Sequence, residues 1–359
     1  MNSDTPVGRY ARVVVGVGPA HLDRPFDYSV PDGMRVGVGS QVRVVFAGRR
    51  RTGWVVETGD EPHTAPERIR ALSLVQGELA WFDAADLALY RWVADRYAAK
   101  LADVLRHALP QRVAGVERES GGWGPPAVVE RAARPACPSP AWRPYGASAL
   151  LQAAARPSGQ AYWLRVLPDG DAAALVADLI MRCLGAGKGV LVLGPDPASQ
   201  LPDAALAVTA GADWRADNAR DRYRAFLRGR TGHARVAVGE RAAVFAPVAD
   251  LGLVVVDDEA NPAYKERRSP RHHAREVALA RARMAGATCV LLADLPSANL
   301  YKLLRAGHVT AVATDRATQR RHAPRVDVVD LSDPRPGTRR ARFAEPAARA
   351  LSAVVRDAG

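Results

Sequence analysis

The run Leu251-Gly252-Leu253-Val254-Val255-Val256-Asp257-Asp258-Glu259 is an apolar segment that ends in three carboxylates. An apolar run of this length predicts a strand buried on both faces, as in a parallel sheet. In nucleotide hydrolases such a strand end holds magnesium through its first Asp and polarises the attacking water through a nearby Glu. Asp257, Asp258 and Glu259 are therefore a candidate acidic motif. The alternative is an acidic strand end that only caps a helix.

Helical stretches and short apolar runs alternate on both sides of this strand. Helices are predicted near 171–185, 216–228, 271–285 and 297–306, and strands at 190–193, 235–238, 251–256 and 289–292. This alternation favours an α/β fold with a parallel sheet covered by helices on both faces. Ligands of such sheets lie at the carboxyl ends of the strands, so the loops after these strands should form the site.

A smaller β-rich region precedes this sheet. Residues 10–57 are rich in β-branched residues, and residues 41–46 alternate between apolar and polar side chains, as a strand with one buried face does. Asp83 is a predicted N-cap, and a second helix through Leu101 stops at Pro110. The first domain is therefore predicted to span residues 1–110. Residues 111–160 are rich in Pro, Gly and Ala and are predicted to form a linker with short helices.

The charge balance indicates the class of partner. The chain has 50 Lys and Arg against 38 Asp and Glu, a net charge of +12, which favours a polyanion. The three cysteines stand far apart, so neither a zinc site nor a disulfide framework is indicated, and no metal is predicted. The N-terminus lacks a signal-peptide pattern, and no apolar run reaches the roughly 18 residues of a membrane span. We expect a cytoplasmic protein with no membrane partner.

Two ordered groups of motifs carry a resemblance. Around the acidic strand stand GERAAVFAP at 239–247, AYKE at 263–266, AREVA at 274–278 and VLLADLPS at 290–297. Near the N-terminus stand RPFDYSVP at 24–31, VRVVF at 42–46 and GWVV at 53–56. The first group resembles the first, RecA-like motor lobe of the primosomal replication-restart helicases, the PriA family. The second resembles that family's DNA 3′-end-binding domain, and together they cover about residues 9–110 and 160–307.

The chain departs from the family at its phosphate-binding loop. The family's loop has the form GVTGSGKT, whose Lys falls on Ala172 and whose Thr falls on Ala173. Of its glycines only Gly170 remains, and Asp169 and Asp171 place negative charge where phosphate would lie. At about 4 Å each like-charge pair would cost on the order of 1 kcal/mol in water and about 4 kcal/mol at an effective dielectric near 20. The resemblance therefore implies a degenerate nucleotide site without a bound nucleotide.

Two further family motifs have also changed. The Asp-Glu-Glu-His of the family stands here as residues 257–260, DDEA, and its Ser-Ala-Thr-Pro as residues 293–296, ADLP. In these respects the chain is similar to ATPase-less family members found in actinobacteria. The run GAGKG at 185–189 is not the missing loop, because it ends a helix and precedes a strand, whereas a working loop follows a strand.

The resemblance also implies a DNA site. The family's 3′-end pocket uses an Asp, a Gly and a basic residue, which fall on Asp27, on Ala47 or Gly48, and on Arg70. A carboxylate can accept a hydrogen bond from a 3′-OH, and Arg can hold phosphate. The candidate DNA-binding residues are Phe26, Asp27, Tyr28, Gly48, Arg49, Arg50 and Arg70. For Phe26 and Tyr28, core packing is the alternative to base stacking. His272 and His273, on a predicted helix, are assigned a basic surface role and no site.

These features predict a binding protein with no intact catalytic residue. It would recognise forks and 3′ ends of DNA during replication restart and primosome assembly, without ATPase activity. The alternative is an ATP-dependent 3′-5′ helicase acting at stalled forks. By resemblance its partners are DNA, restart proteins and single-strand-binding proteins, at the nucleoid.

The resemblance also sets expectations for cofactors and domains. No cofactor is expected, although active relatives use ATP and magnesium and carry a zinc site outside this chain. The predicted domains are 1–110, a linker or winged-helix remnant at 111–160, a degenerate RecA-like lobe at 161–335, and a segment at 336–359 leading toward an absent second lobe.

Overall fold

The structure is a computed structural model. It describes residues 9–16, 22–124, 126, 137–209, 211–324, 326 and 345–357. Parts of three sequence assignments therefore lie outside the described residues: the middle of the predicted linker, the end of the predicted lobe and most of the segment beyond 335.

The N-terminal region forms a six-stranded sheet with the order β5-β2-β1-β4-β3-β6. Its strands are β1 Tyr10–Val15, β2 Phe26–Ser29, β3 Gln41–Phe46, β4 Arg49–Gly59, β5 Arg70–Ala71 and β6 Leu74–Val75. Val42 and Val44 are fully buried while Arg43 between them is exposed, so the predicted alternation of β3 is confirmed. The sheet curls, because the rings of Phe26 on β2 and Phe46 on β3 meet at 4.7 Å across its inner face.

Two helices follow the sheet, α1 Ala84–Arg96 and α2 Leu101–Ala108. The predicted N-cap of α1 is confirmed: the Asp83 carboxylate accepts the Asp86 N–H, and the Asp86 carboxylate accepts the Asp83 N–H. Both helices pack on the second half of the chain. The ring of Tyr90 on α1 lies 5.9 Å from the Phe245 ring, and the carboxylate of Asp103 on α2 accepts the Ser269 hydroxyl at 2.8 Å. The N-terminal helices therefore share one core with the larger sheet.

Residues 111–160 contain α3 Ala114–Ser120 and α4 Ser148–Ala155. The described residues from Ser139 onward do not behave as a linker, because Trp142, Tyr145 and Leu150 are buried in the core of the larger sheet. The Ser139 N–H donates to the Asp178 carboxylate at 3.1 Å, which fastens the segment to the helix that follows. Apolar side chains within a breaker-rich composition explain the difference.

The larger sheet has seven strands in the order β13-β7-β12-β11-β8-β10-β9, and all its pairs are parallel. Its strands are β7 Ala161–Leu164, β8 Gly189–Leu193, β9 Ala212–Asp213, β10 Val236–Gly239, β11 Leu251–Val256, β12 Thr288–Leu292 and β13 Thr310–Val312. The helices are α5 Ala172–Gly185, α6 Gln200–Ala207, α7 Ala219–Arg230, α8 Ala274–Ala285, α9 Ala298–Arg305, α10 Arg316–His322 and α11 Glu345–Asp357. The predicted α/β fold, with a β-rich domain before a RecA-like parallel-sheet lobe, is confirmed.

Burial explains why the central strands are continuous apolar runs. Every residue of β8, β10 and β12 is buried, as expected for strands covered on both faces. Sequence patterns missed β7, β9, β13, α6, α10 and α11, which are short or partly polar. The GAGKG run lies where a helix stop was predicted: α5 ends at Gly185, Gly187 has a φ of 74°, and β8 begins at Gly189.

Candidate functional site

The loop between β7 and α5 lies where a parallel sheet offers a phosphate-binding loop, after a strand and before a helix. Three of its backbone N–H groups already donate within the chain. The Leu167 N–H donates to the Tyr145 hydroxyl at 2.8 Å, and the Gly170 N–H donates to the Leu167 carbonyl at 2.8 Å. The Ala172 N–H donates to the Gly170 carbonyl at 3.2 Å. A phosphate would have to displace these bonds to be bound.

A carboxylate occupies the start of α5. Asp171 is the N-cap, and its Oδ1 accepts the Ala174 N–H at 2.8 Å. The positive end of the helix dipole therefore already faces an anion of the chain itself. Ala172 and Ala173, where the family has Lys and Thr, pack against the apolar core and offer neither cation nor hydroxyl. These residues do not fit a triphosphate with its magnesium.

The other carboxylate of the loop is paired with a distant helix. Both Asp169 oxygens lie 2.8 Å from His322 Nδ1 at the end of α10, and this contact lowers the pKa of Asp169. Arg165 Nη1 also donates to Gln319 Oε1 on α10 at 2.6 Å. Two contacts thus tie α10 to the loop.

The acidic strand end lies at the same edge of the sheet, because β11 and β7 are parallel and only β12 separates them. Asp257 is half-buried and its Oδ2 accepts the Ser199 hydroxyl at 2.6 Å. Burial, with help from the nearby charges of Asp258 and Asp196, raises the pKa of Asp257. Asp258 is exposed with a φ of 42°, and its side chain accepts the Asn261 amide. Asp257 and Asp258 are therefore the two carboxylates of the predicted acidic motif that lie toward solvent.

Glu259, the third carboxylate of the motif, differs from Asp257 and Asp258 because it is buried. Its side chain is fully buried and its Oε2 lies 2.5 Å from Arg275 Nη1. The same carboxylate accepts the Ser297 N–H at 2.8 Å and the Ser297 hydroxyl at 3.0 Å. All the polar contacts of this carboxylate therefore join the end of β11 to α8 and α9. A carboxylate held in this way is a structural group.

In the N-terminal sheet, the predicted DNA contacts divide between two faces. Successive side chains of a strand point to opposite faces, so Phe26 and Tyr28 share one face and Asp27 lies on the other. Tyr28 is buried, and its hydroxyl donates to the Val45 carbonyl at 3.4 Å. Arg70, its neighbour in the register of β5, is exposed. Core packing therefore explains Tyr28, and Phe26 remains half-buried against Phe46.

Asp27 is enclosed by its own strand partners. Its side chain is only 4% exposed and lies 3.5 Å from Arg12 Nε. Its Oδ2 accepts the His63 N–H at 3.0 Å, and Arg12 Nη2 lies 2.7 Å from His63 Nε2. The segment around His63 therefore covers the carboxylate that the sequence assigned to a terminal 3′-OH.

The turn between β3 and β4 explains the glycine. Ala47 and Gly48 are the two loop residues of a hairpin and have φ values of 46° and 75°. Two successive positive φ values are typical of a type I′ turn, which favours glycine at its second position. No neighbouring atom lies within 4 Å of a Cβ built on Gly48. The glycine is thus required by the turn, and the open space leaves the tip accessible.

The hairpin presents a basic surface. Arg49, Arg50 and Arg51 are exposed at the start of β4, and none forms an ion pair with another residue in the described ranges. Arg24 adds a fourth guanidinium, 5.5 Å from the centre of the Phe26 ring. We name these four arginines and the Ala47–Gly48 turn the hairpin surface. It combines unpaired positive charge with an aromatic ring, which suits phosphate and base contacts.

Residues 12–110 match the family described as the PriA 3′DNA-binding domain (3′BD). The probable replication restart protein PriA of Mycobacterium tuberculosis strain H37Rv is 35% identical over 368 residues, which cover 93% of this chain and 52% of that protein. The chain belongs to the PriA family.

Other PriA proteins share the resemblance to different extents. The probable replication restart protein PriA of Mycobacterium leprae strain TN is 34% identical over 367 residues, covering 93% of this chain and 53% of that protein. The replication restart protein PriA of Bacillus subtilis strain 168 is 33% identical over 99 residues, covering 28% of this chain and 12% of that protein. The chain spans about half the length of the mycobacterial PriA relatives it matches.

The histidine pair of this PriA-family chain is not the basic surface that the sequence predicted. Helix α8 begins at Ala274, so His272 and His273 precede it. His272 is 1% exposed, and neither of its ring nitrogens has a hydrogen-bond partner in the described part of the chain. Burial, together with the charge of nearby His107, lowers the pKa of His272 to about 4. A neutral, buried imidazole therefore contacts α2.

Several functional contacts had no signal in the sequence. Tyr145, Arg275 and His322 lie far along the chain from the carboxylates or amides they bind, and only the fold brings them together. Ser297 was visible as a helix start after Pro296. Within the described ranges, no group of three or more metal-ligating side chains comes together, and no helix has the length and apolar character to cross a membrane.

Proposed function

We propose that this chain binds DNA in replication restart and does not hydrolyse ATP. The observation that supports the second part is the loop between β7 and α5. The amides of Leu167, Gly170 and Ala172 donate within the chain, and the Asp171 carboxylate lies at the helix start where a phosphate would need to lie. Neither Ala172 nor Ala173 can replace the charge and the magnesium ligand that phosphoryl transfer requires.

The acidic motif supports the same proposal. Asp257 keeps the position of a magnesium ligand, and its Oδ2 accepts the Ser199 hydroxyl at 2.6 Å. Glu259 is committed to Arg275. An ATP-dependent helicase is the second candidate function, and the retained Asp257 is the observation in its favour.

DNA binding is proposed to take place at the hairpin surface. Its arginines are exposed and unpaired by the described residues, so they can neutralise phosphates without first breaking an ion pair. Asp27 is proposed as a contact to a 3′-OH only after the His63 segment moves, since its carboxylate is now covered. Arg70 is proposed to hold a phosphate at the edge strand β5.

A role in replication restart is proposed from the names of the relatives, and fork recognition, primosome assembly and contacts with restart and single-strand-binding proteins are proposed from the family resemblance. A cytoplasmic, nucleoid-associated location would follow from such a function. The domain limits at 110, 160 and 335 remain proposals, and the ring of Tyr90 on α1 lies 5.9 Å from the Phe245 ring in the second half of the chain.

A DNA-stimulated ATPase assay tests the first half of the proposal. We expect no turnover above a blank with the wild-type chain, and none with Asp257→Ala. Turnover that Asp257→Ala abolishes would show that the chain is a motor after all.

A binding assay tests the second half. Anisotropy with linear single-stranded DNA should lose affinity in Arg49→Ala/Arg50→Ala/Arg51→Ala, and the slope of log K against log salt should fall by about 2, at about 0.7 per phosphate contact. The matched control is Arg91→Ala/Arg118→Ala/Arg283→Ala, which removes three exposed arginines on α1, α3 and α8. Equal losses in both variants would mean that the hairpin has no specific role.

End recognition is tested on the same DNA with a 3′-OH or a 3′-phosphate. We expect the wild type to prefer the 3′-OH and Asp27→Asn to lose that preference while still binding. If the wild type does not discriminate, Asp27 serves only the Arg12 network.

A further inference from the structure

Helix α10 forms a second basic surface. It follows β13 of the larger sheet, whereas the hairpin surface belongs to the N-terminal sheet. The helix is seven residues long and buries none of them. Arg316, Arg320 and Arg321 are exposed. A helix that contributes nothing to the core does not need these side chains for packing. Its sequence is therefore free to serve a contact with something outside the chain.

The orientation of α10 is nevertheless fixed. The Asp315 carboxylate caps the helix by accepting the Thr318 N–H at 2.7 Å, and the Gln319 amide donates to the Thr314 carbonyl at 2.7 Å. Arg165 and Asp169 hold its other side through Gln319 and His322, at 2.6 Å and 2.8 Å. Four hydrogen-bond contacts thus hold a helix that is too short to be stable alone.

The two acidic side chains in these contacts, Asp169 and Asp315, have hydrogen-bond partners within the chain. Asp169 is paired with His322, and Asp315 accepts the N–H of Thr318. Arg321 donates to the Thr318 hydroxyl at 2.9 Å, and the three arginines form no ion pair with a described residue. Arg316 and Arg320 are one turn apart, so their side chains rise from one face of the helix at a Cβ separation of about 5–6 Å. Positive charge is left concentrated on the outer side.

The location of α10 suits a ligand of the sheet. It follows β13, the edge strand beside β7, and contacts the loop at the carboxyl edge, where parallel sheets place their ligands. In a chain that binds nucleotide, the phosphates would occupy the space beside the loop between β7 and α5. Here the loop is closed from within, and the positive groups beside it face solvent.

We propose that α10 binds the phosphate backbone of single-stranded DNA, as a second contact separate from the hairpin surface and independent of nucleotide. The ligand is chosen by charge: three unpaired guanidinium groups lie on a chain with a net charge of +12 that matches a DNA-binding family over residues 12–110. A contact of this kind reads no sequence and needs no DNA end. It would hold an internal stretch of a strand on the lobe.

The experiment uses a covalently closed, internally labelled single-stranded DNA circle, which has no 3′ end. Anisotropy is measured over a series of salt concentrations for the wild type and for Arg316→Ala/Arg320→Ala/Arg321→Ala. We expect the variant to bind about tenfold more weakly or worse, with a salt slope smaller by about 2, at about 0.7 per phosphate. The Arg91→Ala/Arg118→Ala/Arg283→Ala variant, which loses the same charge, should keep its slope and most of its affinity. Thermal melting checks that all three chains are folded.

Several outcomes would overturn the proposal. An unchanged slope in the α10 variant, or equal losses in the control variant, would leave the arginines as a solvated face. Failure of the wild type to bind the circle would also contradict DNA binding by α10. The proposed 3′-end binding by the N-terminal sheet would still be tested separately, on linear DNA. If the α10 variant kept its affinity for the circle but lost affinity for a poly-glutamate peptide, the partner would be an acidic protein segment.

Discussion

Glu259 and Arg275 form an ion pair in the interior of the larger sheet, with side chains that are 0% and 3% exposed. The pair joins the end of β11 to the first turn of α8, and Ser297 extends it to α9. Water cannot compensate the Glu259 charge if Arg275 is removed, whereas Arg275 also pairs with the partly exposed Glu276. A residue that a sequence reading assigns to ATP chemistry therefore holds three elements of this fold together.

We expect Glu259→Ala to lower the free energy of unfolding by about 3 kcal/mol, because it deprives Arg275 Nη1 and Ser297 of their buried acceptor and leaves the guanidinium paired with Glu276 alone among the described residues. Urea unfolding followed by circular dichroism measures the change. Asp294→Ala, which removes an exposed carboxylate in the loop before α9, should stay within about 0.5 kcal/mol of wild type. A loss below about 1 kcal/mol for Glu259→Ala would contradict the structural role.

Asp171→Ala should destabilise the chain by about 1 kcal/mol through loss of the α5 N-cap, whereas Asp171→Asn should be nearly neutral because Asn also caps helices. Thermal melts of the three proteins give the difference. We also expect that magnesium and ATP raise the melting temperature of none of them, since bound ligand would stabilise the folded state. An ATP-dependent rise that appears in Asp171→Ala would mean that the aspartate alone blocks the loop.

His272 predicts a pH dependence with a definite sign. Its folded pKa of about 4 lies below the ordinary 6.5, so the unfolded chain binds the extra proton first as pH falls. The stability is therefore complete above pH 6.5 and decreases from there toward pH 4. The loss from this group is on the order of 2–3 kcal/mol.

The matched variant is His272→Phe, whose ring can pack against Phe245 as the imidazole does at 5.1 Å. Urea unfolding at pH 7 and at pH 4.5 should show a smaller acid loss in the variant than in wild type. At pH 7 the variant should be at least as stable, because two unpaired buried nitrogens are removed. Identical pH profiles would place the acid sensitivity elsewhere.

Tyr90→Ala should destabilise both halves of the described structure together. Its ring lies against Phe82 and Phe245, so the cavity opens in the core that α1 shares with the larger sheet. A loss of about 3–5 kcal/mol is expected for a large aromatic side chain. Differential scanning calorimetry should show one transition that moves as a whole. Two transitions, with only the first displaced, would contradict a shared core.

Much of the fold was readable because its signals are local. The apolar run 251–256 with its acidic end, the Asp83 N-cap and the Gly187 helix stop each depend on a few adjacent residues, and each lies where it was predicted. The strand β7 was missed because four residues with two aromatics give too little periodicity. The segment after Ser139 was taken for a linker because its breakers outnumber the apolar residues that bury it.

The candidate site was predictable only as a set of residue types. Sequence placed the loop, the carboxylates and the hairpin arginines, and it identified the missing Lys and Thr at Ala172 and Ala173. It assigned Asp27 to solvent chemistry, whereas the sheet register sets Asp27 opposite Arg12 and the chain after β4 brings His63 over it. Pairing between strands is a long-range property, so no local pattern reports it.

The sequence by itself therefore determined which chemical groups are present, from the absent phosphate ligands to the excess of arginine, and it also predicted the alternation of the central strands and helices. Only the tertiary structure decided which of those groups are free. Glu259 pairs with Arg275, the Asp171 carboxylate accepts the Ala174 N–H and Asp169 lies against His322, while the arginines of the hairpin and of α10 keep their charge exposed. The reason is physical, since the energy of a charge depends on its burial and on its neighbours, and both are set by folding.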